Sequence, residues 1–316
     1  MFSKKVGRIK MGKVYITPRS ITQNGHPSLK KLERAGLELI YAKPGIQPTE
    51  QEQLNILPEC VAYLAGIEPI SEKVLKVAKK LKIISRNGVG VENINLEAAK
   101  RLGIEVKIAP GANAQGVAEL AIALMFSAAR VVPVSNSLMK QEIWQRSMGF
   151  ELEGKTLGVI GCGNIGKHTI MIAIGINMKV LGYDPNKDNQ FRPSPRFRFV
   201  ALQELLNTSD FISLHYPPSE KPFIDLNSIN QMKEGVIIIN TARAALVDEI
   251  AMLNGLNSGK IRAYATDVYD KEPPKLSALL SHEHVICTPH IGGYTVESID
   301  RAMDTAVMNI LTKLNL

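Results

Sequence analysis

Short apolar runs alternate along the chain with longer stretches whose apolar residues recur every three or four positions. A brief aliphatic run bounded by polar or turn residues reads as a strand buried on both faces, and the 3.6-residue period between runs reads as helix. The first series predicts strands at 14–16, 37–41, 61–64, 83–85 and 104–108, with helices near 28–35, 49–56, 71–78 and 96–102. Alternating strands and helices are the signature of parallel βαβ units, so these residues predict a small flavodoxin-like sheet.

A different element follows at 114–130, which is almost uniformly apolar and includes Ala118, Leu120, Ala121, Ile122, Leu124, Met125 and Phe126. A helix apolar all round is expected to be buried on every side, which places it between two domains. A second strand series then runs through 156–160, 179–183, 211–214, 236–240, 263–266 and 285–287, and a helix over 296–314 closes the chain. The fold class is α/β with two Rossmann- or flavodoxin-like domains, the second and longer one doubly wound and inserted into the first. We expect 12–108 and 291–316 to form the discontinuous first domain, 109–290 the Rossmann domain, and 1–11 a short basic extension.

Length agrees with this division, since 316 residues exceed what one core comfortably serves. The net charge of +8 comes from basic residues spread along the chain without an aromatic-basic motif, which argues against a nucleic-acid partner and for a field that attracts anionic substrates. No apolar run approaches the length of a membrane span, so no membrane partner is expected. Cys60, Cys162 and Cys287 are an odd number without metal-ligand spacing and suit a reducing cytoplasm. His282 and His284 flank Glu283 but lack a partner pair, so they read as a solvated loop and no metal is expected.

The chemistry-bearing residues lie in the second series. Gly161-Cys162-Gly163-Asn164-Ile165-Gly166 follows a predicted strand and opens a helix, the context in which a GxGxxG run binds a dinucleotide. Gly161 would permit the tight turn, Gly163 the approach of backbone to a pyrophosphate, and Gly166 close helix-to-strand packing. Asp184, 18 residues beyond Gly166, ends the next strand where a carboxylate binds ribose hydroxyls and repels a 2′-phosphate. NAD is therefore the expected cofactor, although Lys187 and Arg192 lie close in sequence. A helix N-terminus could also lower the pKa of Cys162, whose default role is packing.

Arg243, Glu272 and His290 each close an apolar run and open a loop. Any one of them has an ordinary structural alternative: a surface cap, a turn before Pro273, a loop residue after Pro289. Together, downstream of the fingerprint, they supply an anion clamp, a carboxylate and a titratable imidazole. That set matches the reduction of a 2-keto acid, which needs a cation for the carboxylate and a proton donor at the carbonyl oxygen. The first domain is then the substrate-binding one.

Six ordered motifs carry a resemblance over residues 13–316: Gly88-Val89-Gly90-Val91-Glu92-Asn93, Asn113-Ala114-Gln115-Gly116-Val117-Ala118-Glu119, the fingerprint, the Arg243 and Glu272 segments, and Pro289-His290-Ile291-Gly292. The chain resembles the D-2-hydroxyacid dehydrogenases, most closely their phosphoglycerate dehydrogenase branch. The resemblance implies Arg243 as substrate clamp, His290 as acid–base group and Glu272 as its partner. It places Asn164, Ile165, Asp184, Thr241, Asp267 and Gly292 on the cofactor, Asp267 at the nicotinamide amide, and Asn87, Gly88, Val89 and Gly90 on the substrate carboxylate. It also implies a cytoplasmic homodimer, formed through the long apolar helix and its neighbours, with a small 2-hydroxy or 2-keto acid as partner and 3-phosphoglycerate, in serine biosynthesis, as leading substrate. Glyoxylate and hydroxypyruvate reduction are the alternatives within the family. Two rivals stand outside that reading. Formate dehydrogenases of this fold carry glutamine at the Glu272 position, and NAD-sensing corepressors keep the same three residues without turnover.

The pattern departs from the family at three points. Ala244 stands where glycine is usual, Glu92 and Asn95 replace aspartates, and Ala65-Gly66-Ile67-Glu68 lacks an arginine that some phosphoglycerate dehydrogenases carry. Arg86 and Arg19 would then have to hold any phosphate, with Glu68 opposing it.

Overall fold

Every predicted apolar run forms a strand in a computed structural model, which describes residues 11–316. In chain order the first elements are β1 (Gly12–Ile16), α1 (Arg19–Asn24), α2 (Leu29–Arg34), β2 (Leu37–Tyr41), α3 (Glu50–Ile56), β3 (Cys60–Ala65), α4 (Glu72–Val77), β4 (Ile83–Arg86), α5 (Leu96–Arg101) and β5 (Glu105–Lys107). Next come α6 (Ala114–Ala129), α7 (Val132–Lys140), β6 (Thr156–Ile160), α8 (Asn164–Gly175), β7 (Lys179–Tyr183), β8 (Phe197–Phe199), α9 (Leu202–Thr208) and β9 (Phe211–Leu214). The last are α10 (Leu226–Gln231), β10 (Val236–Asn240), α11 (Glu249–Asn257), β11 (Ile261–Thr266), β12 (Val285–Cys287) and α12 (Val296–Leu314).

Two units result: the chain up to Asn113 together with Val296–Leu316, and Ala114–Thr295. Both crossings fall five residues later than the expected 108/109 and 290/291. Local hydrogen bonds explain the difference. Ala109 N donates to Gly88 O at 2.9 Å and Arg301 Nε to Ala112 O at 2.8 Å, which keeps 109–112 in the first unit. Ile291 N and Gly292 N each donate to the Asp267 carboxylate at 2.8 Å, which keeps them in the second. The expected extension at 1–11 lies, apart from Met11, outside the described residues.

The first unit is a parallel sheet in the order β2-β1-β3-β4-β5, the flavodoxin-like arrangement. Its strands are apolar on both faces because both faces are covered. Tyr15, Tyr63, Ala65 and Ile84 share a core with residues of α4 and α5, whereas Val14, Ile16, Leu64 and Ile83 share one with α1, α2 and α12. From α12, Met303, Ala306, Val307, Ile310 and Leu311 are buried there, worth about 2 kcal/mol for each large side chain. Ser85 Oγ donates to Ala306 O at 2.9 Å and Asn309 Nδ2 to Ile108 O at 3.1 Å, fixing the helix on the strands.

The second unit is a parallel sheet in the order β12-β11-β10-β9-β6-β7-β8. The chain winds outward from β6 in one direction through β7 and β8 and in the other from β9 onward, so a crevice opens at the carboxyl ends of β6 and β9. Strand β8 was not predicted, since three residues, Phe-Arg-Phe, carry too little pattern.

The expected all-round burial of α6 is corrected. The helix packs against α8, β10 and β11 of its own unit, yet Glu119, Ala123, Phe126 and the following Arg130 are exposed. Those positions recur at intervals of four, three and four, so they form one stripe, apolar at Ala123 and Phe126. Among the described residues no single helix is long and apolar enough to cross a membrane.

Candidate active site

Strands β10, β11 and β12 are neighbours, so the loops that leave their carboxyl ends are neighbours too. Arg243 follows β10 with extended backbone, φ −146° and ψ 144°, and its Nη1 donates to Ala242 O at 2.7 Å. The turn is braced from inside by Asn240, which is fully buried: its Nδ2 donates to Arg243 O at 2.8 Å and its Oδ1 accepts from Ala242 N at 3.1 Å. Ala244 begins a single 3₁₀ turn and is not among the residues with positive φ. Its methyl group therefore introduces no backbone strain where the family has glycine.

Glu272 leaves the loop after β11 and His290 the loop after β12. They meet directly, with His290 Nδ1 2.7 Å and 2.9 Å from the two Glu272 oxygens. An ionised carboxylate only accepts, so Nδ1 carries the hydrogen and Nε2 is left as the working nitrogen. Both side chains are partly exposed, His290 by 51% and Glu272 by 37%, so the dyad is open to a ligand. Arg243 rises one strand further along the edge.

The loop carrying His290 is fastened to Asp267, a buried residue just beyond β11. Thr288 Oγ1, Ile291 N and Gly292 N all donate to its carboxylate, at 2.6, 2.8 and 2.8 Å. Tyr269 adds a bond from its hydroxyl to Thr288 O at 2.7 Å. The sequence alone did not single out Asn240, Tyr269 or Thr288. A buried asparagine closing an aliphatic strand was the one available signal, because such an amide must find partners.

The fingerprint adopts the geometry a dinucleotide requires. Gly161 sits at φ +93°, and a Cβ there would lie 2.4 Å from His215 O, while a Cβ on Gly166 would lie 2.0 Å from Gly161 O. Neither position tolerates a side chain. Around Gly163, by contrast, a Cβ would meet nothing within 4 Å, which leaves room for a phosphate. Gly163 caps α8 without a side-chain bond, so the amides of Asn164, Ile165 and the first turn face that room with the positive end of the helix dipole. Asp184 accepts from Cys162 N at 2.8 Å and from Asn186 N at 2.9 Å, one bond per oxygen, and each oxygen keeps capacity for a ribose hydroxyl. Lys167 is paired with Asp188 at 2.7 Å, and Arg192 Nε turns back to Asn189 O at 3.3 Å. These residues fit a dinucleotide.

Cys162 is not activated by the helix. Burial, reinforced by the Asp184 charge, pushes its thiol up to about 12, so it packs and does not react. Thr241 Oγ1, just past β10, is enclosed without a hydrogen-bond partner. His215, just past β9, has Nε2 2.9 Å from Ser213 Oγ and 3.2 Å from Thr169 Oγ1, and burial lowers its pKa to about 3. It stays neutral at physiological pH. The His282 and His284 rings lie 5.5 Å apart at a tilt of 55°, and among the described residues no group of three His, Cys, Asp or Glu side chains could hold a metal.

In the first unit, Asn87, Gly88, Val89 and Gly90 form the loop after β4. Gly88 N donates to Arg86 O at 2.9 Å, Arg86 Nη1 donates to Asn87 O at 2.8 Å, and Val89 is exposed. Glu68, after β3, is buried and turned inward. Its Oε1 accepts from Tyr63 OH at 2.7 Å and Gly66 N at 2.9 Å, and also from Thr17 Oγ1.

Comparison with known proteins supplies the family. The sequence profile of "D-isomer specific 2-hydroxyacid dehydrogenase, NAD binding domain" matches residues 122–292. A hydroxypyruvate reductase of Thermotoga maritima is 38% identical over 298 residues, covering 90% of this chain and 96% of that protein. A D-3-phosphoglycerate dehydrogenase of Methanocaldococcus jannaschii is 42% identical over 272 residues, covering 84% of this chain but 52% of that protein, so the chain spans about half its length. Among solved structures, NAD⁺-bound 3-phosphoglycerate dehydrogenase of Entamoeba histolytica superposes with a TM-score of 0.77 at 29% identity, covering 95% of this chain and 94% of the other. The chain belongs to the D-isomer-specific 2-hydroxyacid dehydrogenases, NAD-dependent oxidoreductases whose dinucleotide-binding domain is its second unit.

Proposed function

We propose that the protein interconverts a small D-2-hydroxy acid and its 2-keto acid with Arg243, Glu272 and His290 as the reacting set. The observation that carries this is the contact of His290 Nδ1 with both Glu272 oxygens. Glu272 accepts from Nδ1 and so fixes the ring and the tautomer, leaving Nε2 to give a proton to the carbonyl oxygen in reduction and take it from the hydroxyl in oxidation. Arg243 holds the substrate carboxylate through its planar fork. The bound dinucleotide supplies or accepts the hydride. Gly161, Gly163, Asn164, Ile165 and Gly166 are assigned to its pyrophosphate, Asp184 to a ribose, and Thr241, Asp267 and Gly292 to its nicotinamide end. Asn87, Gly88, Val89 and Gly90 are assigned to the substrate carboxylate.

Between 3-phosphoglycerate and unphosphorylated substrates, the β3 loop favours the latter. It presents no cation and is built over the buried Glu68 carboxylate, whose field opposes a phosphate. The relative matched over nearly its whole length is a hydroxypyruvate reductase. With NADH, hydroxypyruvate or glyoxylate should be reduced with at least tenfold higher kcat/KM than 3-phosphohydroxypyruvate. The reverse order would restore 3-phosphoglycerate and a role in serine biosynthesis. Tight NADH binding without turnover of any keto acid would instead support the corepressor-like binder.

A cytoplasmic homodimer belongs to the same proposal. Phe126 on the exposed α6 stripe, Val132 and Met139 on α7, and Trp144 and Met148 beyond it are 40%, 51%, 55%, 80% and 90% exposed. Large apolar side chains gathered on one segment mark an interaction surface. Light scattering should give about twice the 34.7 kDa chain mass, and Trp144→Asp with Met148→Asp should give the single chain. A monomeric wild type would refute the dimer.

A further inference from the structure

His290 stands at φ 52°, in the left-handed region that a non-glycine residue keeps only where its surroundings hold it. What holds it is on both sides. Thr288, two residues before, and Ile291 and Gly292, directly after, direct three donors onto Asp267, which is 1% exposed. Oδ1 takes the Thr288 hydroxyl and the Ile291 amide, and Oδ2 takes the Gly292 amide. Within the loop, His290 N donates to Thr288 O at 2.9 Å, and Tyr269 OH braces that same carbonyl at 2.7 Å.

We propose that Asp267 is a positioning residue for the His290 imidazole, fixing the loop so that Nδ1 lands on Glu272 and Nε2 faces the substrate. The proposal rests on the reading of His290 as the acid–base group. It differs from an assignment of Asp267 to the cofactor alone, since the carboxylate accepts three hydrogen bonds from the His290 loop itself. A carboxylate suits the task because it offers only acceptors, and three converging hydrogens need them. An asparagine in the same place would turn an NH₂ group toward a backbone N–H. One of the three bonds would become a repulsion, and the loop would be free to leave the left-handed conformation.

The test compares Asp267→Asn, Thr288→Val and Thr288→Ser with wild type, each also combined with His290→Ala. Asp267→Asn should lower kcat for keto-acid reduction roughly 10- to 100-fold, the cost of misplacing a reacting group by about 1 Å. KM and the NADH dissociation constant from fluorescence titration should stay within about threefold. Thr288→Val should lose activity in the same way, and Thr288→Ser should restore it. Amide hydrogen exchange at Ile291 and Gly292 should accelerate in Asp267→Asn. In the His290→Ala background, Asp267→Asn should cause no further loss, because a positioning residue has nothing left to position. Tenfold weaker NADH binding with kcat preserved would overturn the proposal, as would losses that simply multiply with His290→Ala. Should Asp267→Asn fail to fold, an unchanged kcat in Thr288→Val overturns it. A His290→Ala enzyme as active as wild type would instead overturn the acid–base reading beneath it.

Discussion

Replacing His290 by alanine should lower kcat for keto-acid reduction by about a thousandfold, the middle of the range for loss of a general acid. Dinucleotide affinity should change little, because the fingerprint and Asp184 lie on other strands of the sheet. The comparison that matters is steady-state rate against NADH titration on one preparation. Loss of both together would mean that the imidazole supports the fold. Its left-handed backbone makes that outcome worth checking, and alanine adopts φ 52° no more readily than histidine does. A thermal melt of the variant therefore belongs beside the kinetics. Glu272→Gln offers an internal comparison: glutamine can still accept from Nδ1 and orient the ring, yet the bond is no longer charge-assisted, so a smaller loss than in His290→Ala is expected.

Arg243→Ala should be nearly as damaging, but in a different parameter. Two charge-assisted hydrogen bonds to a carboxylate are worth about 3–5 kcal/mol, which is a loss of roughly 10²- to 10⁴-fold in kcat/KM. Much of it should appear as a raised KM for the keto acid, since the substrate carboxylate is present in ground state and transition state alike. Arg243→Lys separates charge from shape. It keeps the cation and loses the planar fork, so recovery of no more than about a tenth of wild-type kcat/KM is expected. Full recovery would reduce the role of the fork to that of a point charge. Because Asn240 holds the Arg243 carbonyl, the backbone of the turn should survive both substitutions.

The fold was legible because parallel strands covered on both faces leave long aliphatic runs, such as Val236 to Ile239, with helices of clear period between them. β8 escaped for the opposite reason, being a three-residue edge strand. The exposed stripe on α6 escaped because Ala123 and Phe126 are as apolar as their buried neighbours, and periodicity cannot separate a core from a surface awaiting a partner. In the site, the residues proposed to react, Arg243, Glu272 and His290, could be singled out from spacing and residue type. The groups that hold them could not, since Asn240, Thr288 and Tyr269 act through main-chain bonds that only the folded loops create. Asp267 entered only through the family resemblance, and its three donors were not visible.

The return of α12 to the first unit has a consequence for the order in which the protein is made. About 180 residues separate Asn113 from Val296, so at ordinary ribosomal speeds roughly 10–40 s pass between the synthesis of the two pieces. The continuous second unit is synthesised within that interval. The first unit cannot complete its core then, because the face of β1, β3 and β4 that α12 shares with α1 and α2 is only partly covered until Met303, Val307 and Ile310 emerge. During those seconds an aliphatic sheet face waits on the nascent chain, where chaperones bind and where premature release would be most harmful.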